Sequence, residues 1–220
     1  AGMAIDYREL ASGNFDGSVA EEAAQVQIDM NNKAVAYVLG IMKNSLANNT
    51  KYVKNYATYS GNAPTQAQVD SMVAKMRKMG KVAILGDYGI LSAICDWNGY
   101  KTVGDAKIPF YSPTQVDEIA KAGLNGFYKG STLVELANPY NYTKPLADKS
   151  GFETYYADDE LYFTAAGNKS PLNIFRRGGI TTMQGTDIET GTIKTRFDME
   201  IGADVTKGRE FEIGMMAKEA

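Results

Sequence analysis

Any chemistry in this chain has to run without imidazole, because none of its 220 residues is a histidine. That removes His-activated nucleophiles, most zinc sites and the usual switch near neutral pH. Carboxylates, Lys, Tyr, Ser and Thr remain, and their spacings match no catalytic pattern. Asp158-Asp159-Glu160 offers hard oxygen donors, yet three adjacent acids ahead of a strand are the usual composition of a solvated turn. Gly123, Gly126 and Gly130 precede Ser131-Thr132 in the manner of a phosphate loop, but Lys129 stands on the wrong side of the last glycine, so the stretch reads as turns. There is no nucleophile elbow, kinase signature or EF-hand series. Cys95, the sole cysteine, has no adjacent base and reads with Trp97 as core of a short helix.

Binding patterns are equally plain. Lys75, Arg77, Lys78 and Lys81 form the densest basic group, which reads as the wet face of an amphipathic helix rather than a phosphate site. Lys51, Tyr52, Lys54, Tyr56 and Tyr59 interleave basic and aromatic residues as a single-strand platform would. With 23 basic against 26 acidic residues and a net charge of -3, a Tyr-rich packing or subunit surface is the better reading. Arg176-Arg177 ends a strand, where solvation is the ordinary fate of arginines. The Asn-x-Ser/Thr triplets at Asn48, Asn141 and Asn168 carry no weight without a secretion signal. No apolar run approaches the roughly 18 residues of a membrane span.

The elements that would position these residues change character along the chain. Ser18, with Glu21 three residues on, opens a helix to Leu46. Its apolar face is Ile28, Val35, Leu39, Met42 and Leu46, widened by Met30, Ala34, Tyr37 and Ile41. Thr65 to Met79 forms a second helix, with Val69, Met72, Val73 and Met76 inward and Gly80 as its stop. Val82 to Leu85 is a buried strand, Asp87 caps a short helix through Trp97, and Ser112-Pro113 opens another that Gly123 closes. Thr132–Leu136, Leu161–Phe163 and Leu172–Phe175 read as short strands. Ile193, Thr195, Phe197, Met199 and Ile201 then alternate with charged residues in a long half-buried strand. Thr206 to Arg209 turns it into Phe211, Ile213 and Met215, giving an expected antiparallel C-terminal pair with one wet face. The layout is α+β.

Taken in order, three stretches resemble the major capsid proteins of tailed bacteriophages, the Hong Kong 97-like shell fold shared with encapsulins. Ser18–Leu46 looks like the long spine helix of the peripheral domain. Val82 to Leu91, Pro113 to Gly130 and Leu133 to Leu136 look like the mixed α/β axial domain. Leu161-Tyr162-Phe163, Pro171 to Gly179, Thr195 to Ala203 and Gly208 to Gly214 are similar to the return of the capsid chain into long antiparallel C-terminal strands. The resemblance implies a peripheral domain of 1–50 with 187–220 and an axial domain of 51–186. It departs from the family at the front, where about 17 residues before Ser18 leave no room for an N-terminal arm and extended loop, so a truncated or processed subunit is expected.

What the resemblance implies is a structural coat protein that self-assembles into an icosahedral head shell around phage or prophage DNA. No catalytic residue, cofactor or metal site transfers with it, and no enzyme activity is expected. The implied partners are other copies in hexamers and pentamers, with scaffolding, portal or decoration proteins, DNA enclosed without sequence-specific binding, and no membrane. The implied location is the virion, after synthesis in the bacterial host cytoplasm. The alternatives are an encapsulin-type cargo shell, or a carboxylate-based enzyme or small-molecule binding protein, for which a pocket with convergent acids would speak.

Overall fold

Stop and start signals in the middle of the chain translate directly into helix ends in a computed structural model, which describes residues 2–6, 19–48, 55–97, 100–103, 106–109, 114, 126–166 and 170–219. Thr65 accepts from the backbone N–H of Gln68, and the Gln68 side chain accepts from that of Thr65 at 2.9 Å. This reciprocal cap starts a helix at Gln66–Met76 that buries Val69, Met72, Val73 and Met76, as its spacing predicts. Asp87 accepts from the N–H of Gly89 at 2.9 Å and starts the helix Tyr88–Asp96, which buries Ile90, Leu91 and Ile94. The expected helix from Ser112 to Gly123, apart from helical Thr114, the Ser18 cap and residues 51–54 lie outside the described residues.

The chain forms two compact units, one of residues 1–40 with 174–204, the other of residues 41–173 with 205–220. The second holds a six-stranded mixed sheet. In chain order its strands are β2 (Tyr56–Tyr59), β3 (Lys81–Gly86), β6 (Phe127–Tyr128), β7 (Ser131–Glu135), β10 (Glu160–Ala166) and β13 (Ile213–Lys218), arranged β2-β13-β10-β3-β7-β6. Smaller hairpins pair β4 (Tyr100–Val103) with β5 (Ala106–Pro109) and β8 (Tyr140–Pro145) with β9 (Phe152–Thr154). β10 runs antiparallel to both neighbours, with Phe163 opposite Ile84 on one side and Gly214 on the other. Val82, Ile84, Leu161, Phe163, Ala165 and Met216 are buried with the helix residues Val69, Met76 and Leu91 in one core. β6 and β7 join through Lys129 (φ 46°) and Gly130 (φ 76°), a two-residue turn whose positive φ values match the twist of a hairpin.

The C-terminal pair is a correction. Ile213–Lys218 does not pair with the long strand β12 (Thr192–Val205); it lies between β10, antiparallel, and β2, parallel. A 3-10 turn at Glu210–Glu212 separates the two strands, and five consecutive residues of β13 are buried. Ile213-Gly214-Met215-Met216-Ala217 is therefore a central strand covered on both faces, and its continuous apolar run outweighs the alternation that Phe211 began.

In the first unit β12 is the middle strand, between β1 (Gly2–Asp6) and β11 (Leu172–Asp187). Its alternation holds: Thr195 and Phe197 are buried, Met199 and Ile201 half-buried, Lys194, Arg196 and Glu200 exposed. β11 is a second correction, since it runs 16 residues rather than stopping at Phe175. Its glycines at 178, 179 and 185 and its almost wholly exposed side chains erase the apolar period, while backbone pairing to β12 keeps it extended. The long helix, α1, spans Val19–Asn48, about 45 Å at 1.5 Å per residue. Met30, Leu39, Met42 and Leu46 are buried as expected, whereas Ile28, Val35 and Tyr37 are exposed.

The hairpin joining β11 to β12 has a tightly specified tip. Asp187 accepts from the N–H groups of Glu189 (3.1 Å) and Thr190 (3.5 Å), its carbonyl accepts from Gly191 at 2.9 Å, and Lys194 Nζ lies 2.6 Å from its carboxylate. Lys194 first, then the Thr190 contact, hold the Asp187 carboxyl down to about 2. Because the folded value lies below the ordinary 3.8, the ordering this group contributes is complete above about pH 4 and is lost as pH falls toward 2. Carboxyl carbon NMR should show Asp187 titrating near pH 2, with amide shifts of Glu189 and Thr190 following it. Titration near pH 4 would refute the ion pair.

Candidate functional site

Two acidic positions of the second unit, Glu160 and Asp70, draw polar partners onto both carboxylate oxygens. Glu160, 7% exposed at the head of β10, takes Lys43 Nζ of α1 on one carboxylate oxygen and the Tyr162 hydroxyl on the other. Burial and then the Glu160 hydrogen bond push the Tyr162 hydroxyl far above its ordinary value, so it stays a protonated donor. Asp70 repeats the arrangement with the Tyr128 hydroxyl at 2.8 Å and Lys129 Nζ at 2.5 Å. Burial, then the charges of Asp159 and Asp158, push Tyr59 up to about 12, and its hydroxyl donates to the Asp159 carbonyl at 2.6 Å. Glu160 and Asp70 have both oxygens occupied, which suits tying elements together.

The residues singled out by spacing do not converge. Asp158-Asp159-Glu160 diverge at a strand start, and no group of three acids or thiols able to hold a metal occurs among the described residues. Arg77, Lys78 and Lys81 are exposed, and Arg77 Nη1 donates to the Lys129 carbonyl at 3.0 Å, bracing the β6–β7 turn. Lys51, Tyr52 and Lys54 lie outside the described residues; of their neighbours, Tyr56 is exposed while Tyr59 is core. Arg177 stands 3.7 Å from Glu200 with both side chains in solvent. Cys95 and Trp97 pack against the core, and Trp97 meets Tyr128 edge-on at 6.0 Å. No described helix is long and apolar enough to cross a membrane.

What the first unit offers is surface. Ile174, Phe175 and Met183 of β11 and Ile188 at the hairpin tip are exposed, Ile188 to 95%. An open concavity of about 620 Å³ follows the ribbon past Arg177, Gly178, Arg196 and Glu200, where Arg196 Nε pairs with Asp198 at 2.7 Å. A smaller groove of about 240 Å³ runs between α1 and β12, floored by Met30, Ala34, Tyr37, Phe197, Met199 and Ile201. Periodicity missed this surface because β11 has no buried face to reveal it; the run of β-favouring residues at Ile180-Thr181-Thr182-Met183 was the available signal.

Residues 1–217 match the sequence model of a family described as "SPbeta prophage-derived putative capsid protein YonB". This chain belongs to that capsid-protein family. It is a structural coat protein with the Hong Kong 97-like fold that the ordered stretches lead one to expect. Solved shell structures share the fold at very low identity. A chain of Microbacterium phage Oxtober96 has 9% identity and a TM-score of 0.64 over 100% of this chain and 71% of its own. A chain of the satellite phage P4 procapsid including size determination (Sid) protein has 7% identity and a TM-score of 0.59 over 100% and 69%. The virus-like particle from Pyrococcus furiosus has 10% identity and a TM-score of 0.52 over 98% and 74%. No curated protein matches the sequence.

Proposed function

We propose that copies of this YonB-family chain assemble into a closed icosahedral head shell, in hexamers and pentamers, around DNA held without sequence-specific contacts. The family match over residues 1–217 carries this reading, and the uncovered apolar residues of α1 and β11 support it. In this reading residues 1–50 with 187–220 make the peripheral domain and 51–186 the axial domain, a division that the two compact units support in outline though their bounds differ. The subunit has no catalytic step of its own. Each contact between copies is weak, and closure multiplies them into a stable particle. A net charge of -3 suits an inner wall that repels packaged DNA rather than binding it. Scaffolding, portal and decoration proteins are the further partners, and the particle is a virion head made in the bacterial host cytoplasm.

Negative-stain electron microscopy and light scattering across a concentration series test this. Rings or closed shells are expected, with nuclease-protected DNA in particles isolated from a host. A species that stays monomeric at every concentration would refute assembly, and shells filled with protein instead of nucleic acid would move the reading to a cargo shell.

A further inference from the structure

The six-stranded sheet of the second unit carries opposite charges at its two ends. From Ser71 to Gly86 the chain has four cations, Lys75, Arg77, Lys78 and Lys81, and no acid. Lys81 opens β3, and Arg77 and Lys78 lie just ahead of it, between the helix Gln66–Met76 and the strand. β7 runs parallel to β3, so the Lys129–Gly130 turn that precedes β7 stands at the same end, where Arg77 reaches the Lys129 carbonyl. Lys129 is taken by Asp70, whereas Arg77, Lys78 and Lys81 are exposed and make no ion pair among the described residues. A helix C-terminus favours a cation in its last turn, which does not account for Lys81 on the strand beyond it. Glu210 and Glu212 lie at the start of β13, on the far side of β10 from Lys81, and Arg209 holds Glu212.

The other end of the sheet is acidic. Gly86, the last residue of β3, is followed by Asp87 and stands opposite Glu135 on β7 and Leu161 on β10. Asp158 and Asp159 precede β10 there, and their charges reach Tyr59 as those of Asp87 and Glu135 reach Tyr156. Glu160 is taken by Lys43 and Asp87 by the Gly89 N–H, and Lys218 at the end of β13 adds one cation. Glu135 and Asp158 are exposed and make no ion pair among the described residues. Lys81 and Gly86 are the two ends of β3, roughly 17 Å apart at about 3.3 Å per residue. That is about twice the screening length at physiological salt, so the two ends do not neutralise each other within one copy. Opposite patches at different places on one surface make a heterologous contact, which passes from copy to copy until it closes.

We propose that the basic end of this sheet in one copy, Arg77, Lys78 and Lys81, docks on the acidic end in the next copy, Glu135, Asp158 and Asp159. The occupant is another copy because the complementary charge stands unpaired on the chain itself, in a second place that its own basic end does not reach. A nucleic acid would match the basic end and leave the acidic end without a role. This rests on the shell reading above and names a contact that joins copies around a ring.

The test uses the full chain, whose association should weaken as salt is raised. Lys78→Glu with Lys81→Glu sets acid against the acids of the next copy, and Glu135→Lys with Asp158→Lys sets base against base. Each double variant alone should raise the concentration needed for association at least roughly tenfold. Neither should move the melting temperature, since all four side chains are solvated. Mixed in equal amounts, the two variants should associate again, each beside the other, which a merely structural role for these residues would not produce. Alternation closes only in rings with an even number of members, so electron micrographs of the mixture should lack fivefold rings. Normal shells from either variant alone would overturn this contact and leave the shell reading standing. If such shells of the Lys78→Glu, Lys81→Glu variant lacked nucleic acid, the basic end would belong to packaged DNA instead. A mixture that fails to recover would also overturn the contact. Recovery in small rings that never close would uphold the contact and count against the shell. A wild-type chain that stays monomeric at every concentration would refute both.

Discussion

Phe163→Ala is expected to lower the stability of the second unit by about 3–5 kcal/mol, the range for deleting a buried aromatic side chain. Phe163 is fully buried on β10, with Ile84 opposite it on β3 and Gly214 opposite it on β13. Its ring thus sits at the middle of the sheet, packed with the helices that carry Met76 and Leu91. The surrounding strands are hydrogen-bonded on both sides and cannot close over the hole, so the cavity term is paid nearly in full. Domains have only about 5–15 kcal/mol in total, so thermal unfolding followed by circular dichroism should move down by roughly 10 °C or more. A shift of only a degree or two would mean that β10 is not the centre of this core.

Asn55→Ala should cost about 2–3 kcal/mol, a larger loss than its small side chain implies. Asn55 is 2% exposed, and its amide nitrogen donates to the carbonyls of both Phe211 and Ile213, the second at 3.3 Å. Those carbonyls flank the point where the 3-10 turn becomes β13, and Met215 N–H donates back to the Asn55 carbonyl at 2.8 Å. Alanine takes the amide donor away from both carbonyls, the Ile213 one within the buried interior. Asn55→Asp separates hydrogen bonding from packing. A carboxylate facing two carbonyls is disfavoured, so its folded pKa is raised, and stability lost at pH 7 should partly return below pH 4 as the group is protonated. Urea denaturation at the two pH values checks the sign. An aspartate variant that is more stable at pH 7 than at pH 4, relative to wild type, would refute the assigned contacts.

Local rules reached far into this molecule where the signal itself was local. Thr65 and Asp87 stand at helix starts because a side-chain oxygen can satisfy an orphan amide within three residues, whatever the rest of the chain does. Val69, Met72, Val73 and Met76 recur at helical spacing, and Phe197 to Ile201 at strand spacing, because one face of each is buried. Pairing was less legible. Ile213 to Ala217 continued an alternation begun at Phe211, and nothing nearby told it to leave β12 and enter a sheet with strands more than 40 residues away in the chain. β11 was cut short for the opposite reason: its sides are wet, so burial left no trace in its composition. The Tyr residues show the same divide, since Tyr56 and Tyr59 are alike in sequence yet one is exposed and the other donates from the core to Asp159.

The amino-acid order alone determined that this chain does no histidine chemistry, that it alternates helices and strands around long terminal elements, and that those elements follow the order of a shell subunit. These depend on residue types and on periods of two or 3.6, which are properties of short stretches of backbone. Tertiary structure alone decided which strand β13 joined, that β11 extends to Asp187, and that Ile188 and the groove beneath α1 are both left uncovered. Burial is a relation between segments distant in the chain, and an uncovered apolar side chain is recognisable only once every other segment has taken its place.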